Sequence, residues 1–543
     1  MTEPVNNTRF QYRLPLLLAI SLAVGMVIGQ QLPHYDRALS LSGRVAVKGD
    51  ILDEILGYVE AKYVDTVKIE PLRTKAIEYL LEQLDPHSVY ITPDELRAVE
   101  DDMNGAFEGL GIEFILLDDT IQVISPLSGG PAETAGILAG DKIISLNDTI
   151  IAGVSLETGK IYQKMRGPKG SKVKLGILRY AEKDLLQIEV TRDVIPVKSL
   201  ETAYMLDATT GYVKIARFNS NTYQEFMKSL TALAEENGLK NLILDLRGNP
   251  GGYLEEATEM LSQMFPAGKL LVYTQGRSGQ RKDYESNGRA RFDVQNVAVL
   301  IDEGSASASE IVAGAVQDWD RGWVVGRRSF GKGLVQEQYP LSNGGAMRLT
   351  IARYYTPSGR SIQRDYKNGK EYDHEAERRL KSGELADAAK IKPGDSTQLF
   401  YTGQGRVVFG GGGITPDVFI PLDTSFSSAY FSAIRAKVPG FMARWKEKNQ
   451  GIKQPATLPE FVQQYNISDE LLAEFIAYTE KNGVKTNPTD WANCRAEIKL
   501  QLKARMAKLR FGDDGYYQVI NDDDPAVEKA LQLVKSGQPV AKR

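Results

Sequence analysis

The chain has 543 residues, 42% hydrophobic and 25% charged, the balance of a water-soluble protein too long for one core, so three or four domains are expected. Its 66 Lys and Arg stand against 70 Asp and Glu, a net charge of −4 without the basic bias of a nucleic-acid binder. A single cysteine, Cys494, excludes an internal disulfide framework and any zinc site built on cysteine.

Arg9 and Arg13 precede an apolar run from Leu14 to Gly29. A basic flank before an apolar core is the grammar of an export signal, with the basic end cytoplasmic. The run is shorter than the ~20 residues of a comfortable spanning helix. The following Gln30, Gln31, Leu32 and Pro33 offer neither a small-residue cleavage site nor a lipid-bearing cysteine. Residues 1–33 are therefore expected to be an uncleaved signal anchor, with a cleaved signal peptide as the alternative. The body of the protein is then periplasmic or otherwise outside the cytoplasm, anchored to the inner membrane.

From Ile51 to Gly105 the pattern turns helical. Ile51, Ile55, Val59 and Tyr63 recur every four residues, and Ile77, Leu80, Leu81 and Leu84 mark a second apolar face. Asp85-Pro86 ends that helix, and Thr92-Pro93-Asp94-Glu95 reads as an N-cap with a proline-led first turn. Residues 48–105 form the expected N-terminal helical region.

From Phe107 the pattern becomes β. Gly111–Leu116 and Thr120–Ile124 alternate around Asp118-Asp119 as a hairpin does. A short helix at Pro131–Gly136, a strand within Gly140–Asn147, a helix around Glu157–Met165 and strands at Lys172–Arg179 and Leu185–Thr191 complete a module over 106–195. Gly109-Leu110-Gly111-Ile112, Pro131-Ala132 and Gly140-Asp141-Lys142-Ile143, in that order, resemble a PDZ domain of the bacterial protease type. The resemblance implies that a peptide adds as a strand to an open sheet edge. Backbone N–H groups of Leu110, Gly111 and Ile112 would capture its C-terminal carboxylate. Glycine suits that role because backbone can approach an anion closely there.

Beyond Pro196 strands and helices alternate. Asn241–Leu246 leads through Arg247-Gly248-Asn249-Pro250-Gly251-Gly252 into a helix carrying Leu254, Ala257, Leu261 and Phe265. Val297–Ile301 leads through Asp302-Glu303-Gly304 into a helix with Ile311, Val312, Ala315, Val316 and Trp319 on one face, and a strand follows at Trp323–Gly326. Such alternation predicts a largely parallel sheet with functional turns at its strand ends. The charged, glycine-punctuated stretch 364–410 reads as a surface insertion. The expected fold is a multidomain α/β protein: a core over 196–425, the PDZ-like module, the N-terminal helical region, and a C-terminal helical extension over 426–543.

Histidine is scarce, with only His34, His87 and His374. None stands beside a strand-end turn of the α/β core, so a Ser-His-Asp triad lacks a good base. Lys332, in Ser329-Phe330-Gly331-Lys332-Gly333, could serve if burial lowers its pKa far enough from ~10.4 to leave it neutral; an ordinary surface lysine is the alternative. Gly326–Lys332 matches the G-x-x-x-x-G-K of a phosphate loop, but Gly333 replaces the magnesium-holding Ser or Thr and the sequel is strand-like. Ser329 and Lys332 fit Ser-x-x-Lys, yet Gly331 and the same sequel oppose the helical turn that motif occupies. A third reading pairs Lys332 with a serine of Gly304-Ser305-Ala306-Ser307-Ala308-Ser309-Glu310, where a helix N-terminus would stabilise negative charge. On these grounds any of the three serines serves.

Ser305–Glu310 (SASASE), Phe330–Gln336 (FGKGLVQ) and Asp245–Gly252 (DLRGNPGG) together resemble the carboxy-terminal processing, or tail-specific, proteases. The likeness runs from about Val47 to Leu422, taking in Leu84–Ser88 and Tyr355–Gln363, and weakens over 364–410 and beyond about 425. It implies that Ser307 is the nucleophile, Lys332 the general base and Gln336 the residue orienting the lysine, the last two sharing one face of a strand. It implies an oxyanion hole from the N–H groups of Ala308 and Gly252, with Gly251 close behind. The activity implied is a serine endopeptidase, working through an acyl-enzyme on exported or membrane-associated proteins held by their C-terminal tails. PDZ movement would gate it, with Arg166 as the candidate contact and a solvated arginine as the alternative. No metal, cofactor or nucleic acid is called for. The partners are protein or peptide substrates and, through the N-terminal segment, the membrane; a homo-oligomer is allowed. A PDZ scaffold with a silent protease core is the alternative function.

Overall fold

The computed structural model describes residues 51–540, apart from 118, 128, 155–157, 180, 181, 183, 368–371, 373, 392–394, 450–454 and 539. The expected signal segment, 1–33, lies outside the described residues. Among those described, no helix is long and apolar enough to cross a membrane.

The first unit ends at Leu80 and holds α1 (Ile51–Lys62) and most of α2 (Ile69–Glu82). On the first apolar face Ile51, Ile55 and Tyr63 are exposed, and Leu56 alone of α1 is buried; on the second, Leu80 and Leu84 are exposed and Leu81 is buried. Periodicity identifies a helix face but not what covers it.

The second unit opens with β1 (Val89–Ile91) and α3 (Pro93–Asn104). The Thr92 N–H and hydroxyl both donate to the Glu95 carboxylate (3.1 and 2.8 Å), and Gly105 ends the helix in the left-handed conformation. The PDZ module follows: β2 (Ala106–Gly109), β3 (Ile112–Leu117), β4 (Thr120–Pro126), α4 (Pro131–Thr134), β5 (Lys142–Leu146), β6 (Thr149–Ile150), α5 (Thr158–Met165), β7 (Lys172–Leu178), β8 (Leu186–Thr191) and β9 (Asp193–Pro196). Its sheet runs β3-β4-β5-β7-β8, which leaves β3 at an edge, while β9 returns antiparallel to β2. Leu110, Val123, Ile143, Leu175 and Ile177 form its core.

Next come β10 (Leu200–Met205), β11 (Thr210–Ile215), α6 (Thr222–Asn237), β12 (Asn241–Asp245), α7 (Leu254–Leu261), β13 (Leu270–Gly276), β14 (Arg281–Glu285), β15 (Asn296–Ile301), α8 (Ala308–Asp318), β16 (Trp323–Gly326), β17 (Leu334–Pro340) and β18 (Ala346–Tyr355). The helix expected to reach Phe265 stops at Leu261, although Phe265 is still buried. The stretch 364–410 holds α9 (Glu375–Ser382), β19 (Asp395–Tyr401) and β20 (Val407–Gly410), and β21 (Val418–Phe419) closes the core. Among the described residues six helices follow: α10 (Ala429–Arg435), α11 (Val438–Lys448), α12 (Leu458–Gln464), α13 (Asp469–Lys481), α14 (Pro488–Asn521), broken by non-helical backbone at Gly512, and α15 (Pro525–Ser536).

The main sheet runs β10-β11-β12-β15-β16-β21, parallel from β11 onward. Strands that follow one another across a sheet by right-handed crossovers put all their helices on one face. There α6, α7 and α8 bury Phe226, Leu230, Met260 and Ile311 against Leu244 and Val299. The other face, with Tyr212, Ile243, Ala298, Leu300 and Val325, is covered by Ala526, Val527, Ala530 and Val534 of α15. A second sheet, β1-β18-β13-β14, also pairs β17 with β18.

Candidate active site

Residues 302–307 join β15 to α8 and place Ser307 at the N-cap, with φ 53° and ψ −115°, a costly conformation for a residue with a Cβ. Burial separates the three serines of this turn. Ser305 is fully buried and donates to the Leu246 carbonyl (2.8 Å); Ser309 is fully buried and donates to the Asn249 carbonyl (3.1 Å). Ser307 is the partly exposed one.

The turn after β12 packs against it. A Cβ on Gly251 (φ 97°) would fall 2.6 Å from the Ser307 Cβ and 2.9 Å from the Ala308 nitrogen. One on Gly252 (φ 144°) would fall 1.9 Å from the Phe218 carbonyl oxygen. The Gly251 N–H donates to Asn249 Oδ1 (2.8 Å). Those of Gly252 and Ala308 have no protein acceptor among the described residues. Two such N–H groups flanking a partly exposed hydroxyl at a helix N-terminus can receive a developing oxyanion.

Lys332 lies in the turn before β17, which begins at Leu334 and slips register between Val335 and Gln336. The strand face that Lys332 and Gln336 were expected to share is therefore absent. Instead, Gln336 Nε2 donates to the Thr350 hydroxyl (3.3 Å), which donates to Asp85 (3.0 Å).

Two side chains tie this turn to Ser307. One oxygen of the buried Glu310 accepts the N–H groups of Ser307 (2.9 Å) and Lys332 (2.8 Å). The other accepts the Gly331 N–H (2.7 Å) and the Ser329 hydroxyl. The Tyr354 hydroxyl stands between the carbonyl oxygens of Ser307 (3.1 Å) and Lys332. Burial holds the Lys332 ammonium below its ordinary pKa, helped by the Arg348 charge and opposed by Glu310 and Asp85. Burial also raises Glu310 to about 7, against the hydrogen bonds it accepts.

Ser329 is fully buried, and its hydroxyl also accepts the Ile414 N–H (2.6 Å). With a strand rather than a helix after Lys332, neither the Ser-x-x-Lys nor the phosphate-loop reading has its geometry. His87, set apart from the core by its sequence position, belongs to this site. Its Nε2 meets the Tyr372 hydroxyl at 2.7 Å, and burial together with the Lys332 charge lowers its pKa to about 4, leaving it neutral. The signal for it was the Leu84–Ser88 string, whose Asp85 accepts the His87 and Ser88 N–H groups (2.8 and 3.0 Å).

Comparison with known proteins bears on this arrangement. The family model described as Peptidase family S41 matches residues 209–376, that of the PDZ domain 109–191, and a family of unknown function 441–512. The carboxy-terminal-processing protease of Bartonella bacilliformis is 38% identical over 326 residues, 58% of this chain and 71% of the relative. The chain belongs to the carboxy-terminal processing protease family. The Synechocystis relative is 33% identical over 61% of this chain and 79% of its own; carboxy-terminal processing protease CtpB of Bacillus subtilis is 36% identical over 58% and 65%. The solved photosystem II D1 C-terminal processing protease shares 30% identity over 57% of this chain and 83% of its own, with a TM-score of 0.33.

Carboxy-terminal processing proteases are serine peptidases, and this one carries its PDZ domain with β3 at the sheet edge beside α5, where the Phe114 and Tyr162 rings meet at 5.2 Å. The Leu110 side chain is core, so only its backbone is available to a ligand. The N–H groups of Leu110 and Gly111 (φ 72°) have no protein acceptor among the described residues, and Ile112 opens β3 with its side chain against the PDZ core. Arg166 is tied elsewhere: it donates to Asp101 of α3 (3.0 Å) and lies over the Phe107 ring.

Proposed function

We propose that the protein is an endopeptidase that cleaves exported or membrane-associated proteins held by their C-terminal tails, with Ser307 as nucleophile and Lys332 as general base. The observation that carries this reading is the double tie between them. One Glu310 oxygen and one Tyr354 hydroxyl link the two backbones, and burial favours the neutral amine that a base requires.

In the first step Ser307 Oγ adds to the scissile carbonyl carbon while its proton passes to Lys332 Nζ. The N–H groups of Ala308 and Gly252 receive the oxyanion. As the C–N bond breaks, Lys332 returns the proton to the departing amine, and water then repeats the sequence to release the acyl group. Gln336 acts on the lysine through Thr350 and Asp85, whose carboxylate is close enough to affect its charge. The substrate tail adds as a strand to β3, its carboxylate held by the N–H groups of Leu110, Gly111 and Ile112. Release of Arg166 from Asp101 accompanies PDZ movement and gates the site. Residues 1–33 hold the enzyme at the membrane, with the protease on the periplasmic side.

Purified protein should degrade a denatured substrate with a free C-terminus. Ser307→Ala should abolish turnover, and amidating the substrate tail should raise KM. Turnover surviving Ser307→Ala would sink the assignment of the nucleophile.

A further inference from the structure

We propose that Arg379, within the insertion 364–410, is a positioning residue for the catalytic base, holding the carbonyl groups of the turn whose amide groups Glu310 holds. This rests on the reading of Lys332 as that base.

By composition α9 (EAERRLKS) is a solvated surface helix, and most of it is exposed. Arg379 is not: it is 1% exposed. A buried guanidinium is tolerated only when its donors are satisfied, and the acceptors here are informative. Nη1 donates to the carbonyl oxygens of Arg328 (2.9 Å) and Ser329 (2.8 Å), and Nη2 reaches those of Phe330 (3.5 Å) and Gly412 (3.4 Å). Nε donates to Glu375 one helical turn back (2.8 Å). Three successive carbonyls converge on one cation only where the chain curls around it, and the planar fork of Arg can serve several at once.

The charge is balanced locally. Arg328 pairs with both oxygens of Glu384 (2.8 and 2.9 Å), and Glu375 answers Arg379 with one oxygen while the other accepts from the exposed Arg378 (2.9 Å). Further along the same turn the Gly331 and Lys332 N–H groups belong to Glu310. The Gly331 carbonyl accepts the Arg364 N–H (3.1 Å), and the Gly333 N–H donates to the Gln363 side chain (2.7 Å). Residues 328–333 are thus fixed from two sides: by the nucleophile's helix through an anion, and by the insertion through a cation. Removing either grip frees the backbone from which Lys332 reaches the site, and a misplaced catalytic group loses rate rather than binding.

The test is kcat and KM against pH for wild type, Arg379→Gln, Arg379→Lys and Lys332→Ala, each checked for folding by circular dichroism and thermal melting. Arg379→Gln should lower kcat on the order of 10–100-fold with KM nearly unchanged, and should move the rising limb of kcat/KM to higher pH as Lys332 gains solvent. Arg379→Lys keeps the charge but cannot span three carbonyls, so it should lose most of the same rate. Wild-type kcat and pH limb in either arginine variant would overturn the proposal, provided Lys332→Ala is inactive. An active Lys332→Ala would overturn the base reading and this proposal with it. If the arginine variants do not fold, Glu375→Ala removes the carboxylate that aims Arg379. It should lower kcat several-fold at constant KM, and an unchanged kcat there overturns the proposal equally.

Discussion

Lys332 is half-buried and Glu310 fully buried at the same turn, and burial moves their titrations in opposite directions. Burial and the Arg348 charge lower the Lys332 pKa in the folded protein. Between that value and the ordinary 10.5 the unfolded chain binds the additional proton, so this group's contribution to stability grows as pH rises through the window. Activity should follow the same direction: kcat/KM climbs with pH and levels off below 10.5, once the amine is neutral. Arg348→Gln, which removes the charge that lowers the Lys332 pKa, should shift that limb to higher pH. A profile that falls from neutral to alkaline pH would exclude a lysine base. At this scale the sequence read the lysine's chemistry but left three serines equivalent. What separates them is depth, and SASASE encodes no difference in depth until the Asn249 turn folds against it. His87 stayed hidden for the same reason, since Tyr372, its partner, lies 285 residues away.

Among the elements, the turn between β12 and α7 is the least tolerant of change. A methyl group at Gly251 would meet the Ser307 Cβ at 2.6 Å in a φ of 97°, where L side chains are strained. Gly251→Ala should therefore cost activity on the order of 10²-fold, through displacement of Ser307. Steady-state kinetics with a melting curve separates that loss from unfolding. β12, β15 and β16 were legible because strands buried on both faces read as short apolar runs. β17 was legible as a strand but not in its side-chain phase, because the slip at Val335 and Gln336 is a tertiary adjustment to β18. The interior role of α9 was not legible at all. Its one buried arginine looks like its exposed neighbours, and only the carbonyls it meets, some fifty residues earlier, distinguish it.

Across the molecule, the C-terminal helices are joined to both functional modules. Lys508 of α14 pairs with Glu113 of β3 (3.5 Å), Asp514 and Asn521 meet β10 through Thr202 and Tyr204, and Asp524 pairs with Arg247 (2.7 Å) beside the Asn249–Gly252 turn. The apolar spacing in α15 is visible in sequence, but its target is a sheet face hundreds of residues distant. Val527 and Val534, both buried there, should together lose roughly 2–4 kcal/mol on replacement by alanine, read as a lowered urea midpoint. Stability unchanged by the double variant would show that α15 does not support the sheet. There is a consequence in time as well as in space. Because all the crossover helices lie on one side, the sheet carrying Ser307 keeps one bare face until the twelve residues of α15 have been made. A chain that has not yet gained residues 525–536 therefore lacks the cover for one face of the sheet that carries Ser307.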